Sequence, residues 1–111
     1  MRSDKQRFED ILEAIERIEK YAARGRDAFW KDELVQTWIV RHLQILGEAA
    51  RNTTQELKDK NPQIPWSKIT GMRNILVHDY FGVDREIVWA VVEQDLPTLK
   101  PQIKTILKNQ I

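Results

Sequence analysis

Along this chain apolar residues recur at steps of three and four, and no segment sustains the two-residue alternation of a half-buried strand. A helical period with no competing strand period confines the chain to an all-α bundle. Residues 4–24 show the pattern first, with Phe8, Ile11, Leu12, Ile15, Ile18 and Ala22 on one face. Ser3 is placed to cap this helix and Gly25 to end it. The stretch GRDAFWKD then breaks the period and is read as a connection.

A second helix is predicted from Asp32 to Asn52, and its apolar stripe is wide enough to touch more than one neighbour or a second copy of the chain. Gly47 inside it costs roughly 1 kcal/mol relative to alanine, which close helix packing would explain. TTQE at 53–56 matches a capping box opening a short helix that Asn61-Pro62 stops. Pro65 suits the first turn of the next helix, with Ile69, Met72 and Leu76 at helical spacing. FGVD supplies a turn glycine, Asp84 can cap a helix carrying Ile87, Val88, Val91 and Val92, and Pro97 is expected to interrupt before a last helix.

A length of 111 residues, without a low-complexity linker or internal repeat, implies one domain over 1–111 with a single core. The chain has no cysteine, which excludes disulfides and thiolate metal sites and makes an intracellular, cytoplasmic setting the natural expectation. Two histidines with no acidic residues at ligand spacing argue against a dedicated zinc site, and no cofactor is implied. The first ten residues lack the apolar core of a signal peptide, and no apolar run approaches membrane-spanning length, so no membrane partner is expected. A net charge of +1 does not announce nucleic-acid binding, although a local basic patch can still hold an anion.

One of the two histidines sits in RNILVHDY at 73–80. Arg73 and His78 are five residues apart, a rotation of roughly 500°, which leaves them about 140° apart on a straight helix. A shared site therefore needs either a helix end near His78, which Gly82 would suit, or two chains meeting across a twofold axis. The residue types fit cleavage of RNA without a metal. Histidine serves as base or acid near neutral pH, and arginine presents a fixed fork of donors to phosphate. Asn74 lies one helical turn before His78 and can orient its ring. Tyr80 offers a phenol that can bind phosphate or accept a modifying group. The competing reading is a cluster at a helix C-terminus, where Arg and His simply complement the helix dipole.

RNILVHDY resembles the R-N-x-x-x-H pattern of HEPN domains, in the Arg-x4-His-x-Tyr form of their HepT toxin branch. FEDILEAIERIEKY, ILGEAA, IPWSKITGMRNILVHDYFGVD and VWAVVEQDLPTL are also similar to HepT segments. The resemblance implies a HEPN-type helical bundle that forms a homodimer, with both motifs facing one cleft. It implies a toxin acting as a metal-independent endoribonuclease that leaves 2′,3′-cyclic phosphate ends, with Arg73 and His78 catalytic and Asn74 in support. It further implies an MntA-like nucleotidyltransferase antitoxin that blocks the enzyme by transferring AMP to Tyr80.

Other residues carry two readings each. His42 suits a hydrogen-bonded core or interface position, or a second catalytic group. Glu48 suits a polar interface or the cleft. The four tryptophans read as core or interface anchors, or as stacking platforms for RNA bases. Lys100, Lys104 and Lys108 form a basic stripe that is either a solvated helix face or an RNA-backbone track, and Asp79 is either plain solvated charge or a charge felt by the site. The alternative function is a non-catalytic helical binding module for a nucleotidyltransferase or a nucleotide.

Overall fold

The computed structural model describes residues 2–71 and 84–111. Its regular structure among these residues is entirely helical: α1 (Asp4–Ala22), α2 (Arg26–Lys31), α3 (Glu33–Asn52), α4 (Gln55–Lys60), α5 (described over 66–71), α6 (Arg85–Ala90) and α7 (Leu96–Asn109). α1 and α3 pack along their lengths and α7 closes over α1. The apolar stripe of α1, Phe8, Ile11, Ile15 and Ile18, is almost fully buried in one core with Val35, Ile39, Leu43 and Leu46 of α3 and Leu99, Ile103 and Ile106 of α7. Full burial of each such side chain contributes about 1.5–3 kcal/mol, so this three-helix seam dominates the fold.

The helix ends follow from short polar residues. Ser3 caps α1 in a reciprocal box, its hydroxyl accepting from the Gln6 amide at 3.1 Å while the Gln6 side chain accepts from the Ser3 amide at 2.8 Å. Asp32 caps α3 through the Leu34 amide. Gly47 is buried within α3.

Three local expectations are corrected. The presumed connection GRDAFWKD contains the helix α2. Gly25, at φ 95°, resets the chain direction, and Phe29 is fully buried. The Gln36 amide group then donates to the carbonyls of Phe29 and Trp30, at 2.8 and 3.1 Å. Six residues would not hold a helix alone; these tertiary bonds do.

The capping box at 53–56 is displaced by one residue. Thr53 remains bound to α3, donating to the Ala49 carbonyl, and Thr54 is the cap of α4, accepting from the Leu57 amide. Thr54 is fixed there by Asp4, which accepts from its hydroxyl at 2.6 Å and its amide at 3.1 Å.

Pro97 does not interrupt the chain. Residues Val91–Asp95 form a π-helical turn in which the Leu96 amide reaches the Val91 carbonyl, joining α6 to α7 with αR geometry throughout. Proline lacks the amide that would bond Glu93 and its ring crowds that carbonyl; the wider turn accommodates both.

The lower end of the bundle is tied by Asn61, a buried polar residue. Its side-chain amide donates to the Leu57 carbonyl (3.0 Å) and the Gln110 side chain (2.9 Å), and its side-chain oxygen accepts from Gln110 (3.0 Å). Its backbone carbonyl accepts from the Trp66 indole. Asn61→Ala strands these partners and is expected to lower stability by about 2–3 kcal/mol, while Gln110→Ala costs about 1 kcal/mol, both read from urea unfolding midpoints.

Candidate functional site

Arg73, Asn74, His78, Asp79 and Tyr80 lie outside the described residues. The structure does describe both helices that lead into and out of their segment. α5 is anchored by the buried Ile69, by the Trp66 indole on Asn61, and by Lys68, whose ammonium is 3.0 Å from Asp95 of the π turn. α6 begins at Asp84, whose carboxylate accepts from the Ile87 amide at 3.2 Å, and is seated by the buried Val88. Arg85, its first residue, donates to the Trp30 carbonyl at 3.0 Å. Of the described residues flanking the segment, α5 is thus held by Asn61 and the π turn, and α6 by α2.

Two open grooves lie on the surface of the described residues. One, of about 700 Å³, runs along α4 and α5 and is lined by Lys58, Asp59, Trp66, Ser67, Thr70 and Gly71. A second, of about 400 Å³, lies between α1 and α3 and brings together Arg2, Arg7, Arg41, Asp10, Glu48 and Asn52. Its arginines are largely neutralised in place: Arg2 pairs with Asp10 at 2.7 Å and Arg7 with Asp4 at 3.5 Å. Glu48 accepts from the Asn52 side chain at 3.1 Å, a polar setting on the exposed side of α3. Among the described residues no three His, Asp or Glu side chains converge as a metal-binding group.

His42 is buried. Its Nδ1 is 2.8 Å from the Trp38 carbonyl, and its ring packs on the Trp38 indole with centroids 4.4 Å apart. Against a carbonyl acceptor Nδ1 must carry its proton and donate, which fixes the tautomer. The Trp38 indole in turn donates to the Arg17 carbonyl at 2.7 Å. His42 is therefore the hydrogen-bonded histidine of the first reading. In the C-terminal basic stripe Lys100 is bound to Glu19 at 2.7 Å, and that hydrogen bond raises its pKa above the ordinary lysine value, while Lys104 and Lys108 are exposed.

An arrangement absent from the sequence reading appears where α1, α2 and α6 meet. The Arg24 guanidinium lies 4.9 Å from the Tyr21 ring centroid, and those of Arg26 and Arg85 lie 4.3 and 5.7 Å from that of Trp30. All three arginines are exposed. The signal available in the sequence was the pair of arginines flanking Gly25 between Tyr21 and Trp30; Arg85, distant along the chain, gave none.

A family model described as "Ribonuclease HepT-like" matches residues 11–106. The chain is similar to a Thermococcus cleftensis protein named "Probable ribonuclease HepT", 40% identical over 108 residues that cover 96% of this chain and 98% of that one. A Caldanaerobacter subterraneus subsp. tengcongensis protein named "Putative RNase TTE0752" is 36% identical over 111 residues, 99% of each chain. A Methanocaldococcus jannaschii protein named "Gamma-glutamylcyclotransferase and putative RNase MJ0434" is 40% identical over 100 residues, 89% of this chain but 45% of that one. No solved structure matches.

Replacing His42 with alanine removes the bond to Trp38 and a packed ring. The expected loss is about 2–4 kcal/mol, seen as a lowered urea midpoint, whereas Trp38→Phe, which loses chiefly the indole donor, costs about 1 kcal/mol.

Proposed function

The chain belongs to the HepT-like ribonuclease family, and on that premise we propose that it is a metal-independent endoribonuclease and the toxin of a toxin–antitoxin pair. What carries the reading is the sequence Arg73-Asn74-x-x-x-His78-x-Tyr80 inside the matched span 11–106. Those side chains supply each group the reaction needs. One His78 takes the proton of a ribose 2′-hydroxyl, and the 2′-oxygen attacks the adjacent phosphorus. The bond from phosphorus to the 5′-oxygen breaks, and a second acid, the His78 of a partner chain, protonates that oxygen. The products are a 2′,3′-cyclic phosphate and a 5′-hydroxyl. Arg73 holds the phosphate oxygens and offsets the charge that builds at phosphorus, as a permanently charged planar donor does well. Asn74 orients the imidazole. A twofold homodimer brings the two motifs to one cleft.

Tyr80 is the point of control. A nucleotidyltransferase antitoxin of the MntA type delivers AMP from ATP: the phenol oxygen attacks the α-phosphorus and pyrophosphate leaves. The added anion and nucleoside beside Arg73 and His78 compete with the RNA phosphate. The anchors of α5 and α6 described above support this reading, because the helices on either side of the motif in sequence are fastened to the packed core.

The first test is cleavage of total and transfer RNA in excess EDTA. Wild type is expected to cut and leave cyclic-phosphate ends, while His78→Ala and Arg73→Ala, folded and dimeric, lose at least about 100-fold in rate. Silence from an unmodified, dimeric wild type, its mass checked beforehand, would overturn the enzyme reading in favour of a binding module. With the antitoxin and ATP, intact mass is expected to rise for wild type and stay fixed for Tyr80→Phe; an equal gain in both would remove Tyr80 from the mechanism.

A further inference from the structure

The exposed cations at the junction of α1, α2 and α6 differ from Arg2, Arg7 and Arg17, each of which has a carboxylate partner. Among the described residues, Arg24, Arg26 and Arg85 have none; they are held by rings and backbone instead. Arg85 is fixed by its bond to the Trp30 carbonyl, and Arg26 stands over the same indole. The platforms are themselves anchored. Tyr21 packs edge-on against Trp38 at 5.0 Å, and Trp30 against the fully buried Phe29 at 5.8 Å. Trp38, Trp66 and Trp89 each place their indole N–H on an acceptor, whereas that of Trp30 has no partner among the described residues. The nearest acids in sequence, Asp27, Asp84 and Glu86, are exposed and temper the positive field, but none forms an ion pair with these arginines.

We propose that Arg24, Arg26 and Arg85, backed by the rings of Tyr21 and Trp30, form a second RNA-binding surface that grips the substrate strand beside the bond to be cut. The proposal rests on the endoribonuclease reading and adds a site to it. A guanidinium laid on a ring, as those of Arg24 and Arg26 are, keeps its N–H edge for phosphate. Arg85, with one N–H on the Trp30 carbonyl, keeps its remaining donors, so the forks are oriented in advance and lose little entropy on binding. The outer faces of guanidinium planes laid on the half-buried rings of Tyr21 and Trp30 are surfaces for unstacked bases, which single-stranded RNA supplies and an acidic protein does not. Proximity is set by covalent geometry. Arg85 is seven residues from His78 in sequence, so their Cα atoms lie within about 25 Å in any conformation, a distance a short RNA strand spans.

The test is equilibrium binding of a fluorescent single-stranded 2′-O-methyl RNA, which lacks the attacking hydroxyl and therefore reports binding without cleavage. In the variant R24Q/R26Q/R85Q the affinity is expected to fall at least about 10-fold, and the slope of log K against log salt to flatten by about 2, as for three lost phosphate contacts. The variant K5Q/K104Q/K108Q removes the same charge from exposed lysines elsewhere and is expected to change affinity by less than about threefold. R26K/R85K keeps the charge but not the fork and is expected to fall between, with circular dichroism confirming the helices in every variant. Wild-type affinity and slope in the arginine variant, or an equal loss in the lysine variant, overturns the proposal. So does unchanged RNA binding with lost binding of poly-glutamate, which would mark an acidic protein as the occupant. Binding of the uncleavable strand is read without turnover, and cleavage of unmodified RNA by the same variants is measured separately, so failed cleavage and failed binding are distinct results.

Discussion

The seam between α1 and α3 is the constraint on which the rest of the molecule depends. Two long amphipathic helices bury Phe8, Ile11, Ile15 and Ile18 against Val35, Ile39, Leu43 and Leu46, and every shorter element is fastened to that pair. α2 hangs from α3 through Gln36. α4 is pinned to the first residue of α1 through Asp4 and Thr54. α7 lies along α1 and returns to α4 through Gln110 and Asn61. None of the short helices is long enough to persist alone, since helix nucleation is costly and few bonds repay it. Their existence is a property of the seam.

That dependence explains what could be read from the residues and what could not. α1 and α3 were legible because their stability is written in a periodic stripe and in the caps at Ser3 and Asp32. α2 was not, because Gln36 and Arg85, its supports, lie outside it in sequence. The cap of α4 was misplaced by one residue because Thr53 and Thr54 are equally good caps in isolation, and only the reach of Asp4 from α1 chooses between them. Pro97 read as a break because local rules take an α-helix as the only helix available; the π turn is the alternative they omit.

The candidate site divides along the same line. Arg73, His78 and Tyr80 stand close in the chain, where their chemistry alone left two readings open and the resemblance singled them out; the family match supports the ribonuclease class. His42 could not be assigned until the Trp38 carbonyl was seen beside it, since a histidine in an apolar stripe has the same sequence appearance whether it is bound or reactive. The cation–ring surface was hidden for a stronger reason: Arg85 and Trp30 meet only through the fold, and the net charge of +1 conceals a local excess of unpaired arginines.

The π turn also acts as a phase setter. Between α6 and α7 the helix takes up one residue more per turn than α-geometry would, and one residue corresponds to about 100° of rotation. Deleting a residue within Val91–Asp95 would remove the extra residue of the π turn, turning α6 by that angle while Leu99, Ile103 and Ile106 kept α7 seated and pressing Pro97 against the preceding turn. Val88 would leave the core and Arg85 would swing away from Trp30. The stretch is thus intolerant of length change even where it tolerates change of side chain, and it couples the rotational setting of α6 to a turn lying wholly outside that helix.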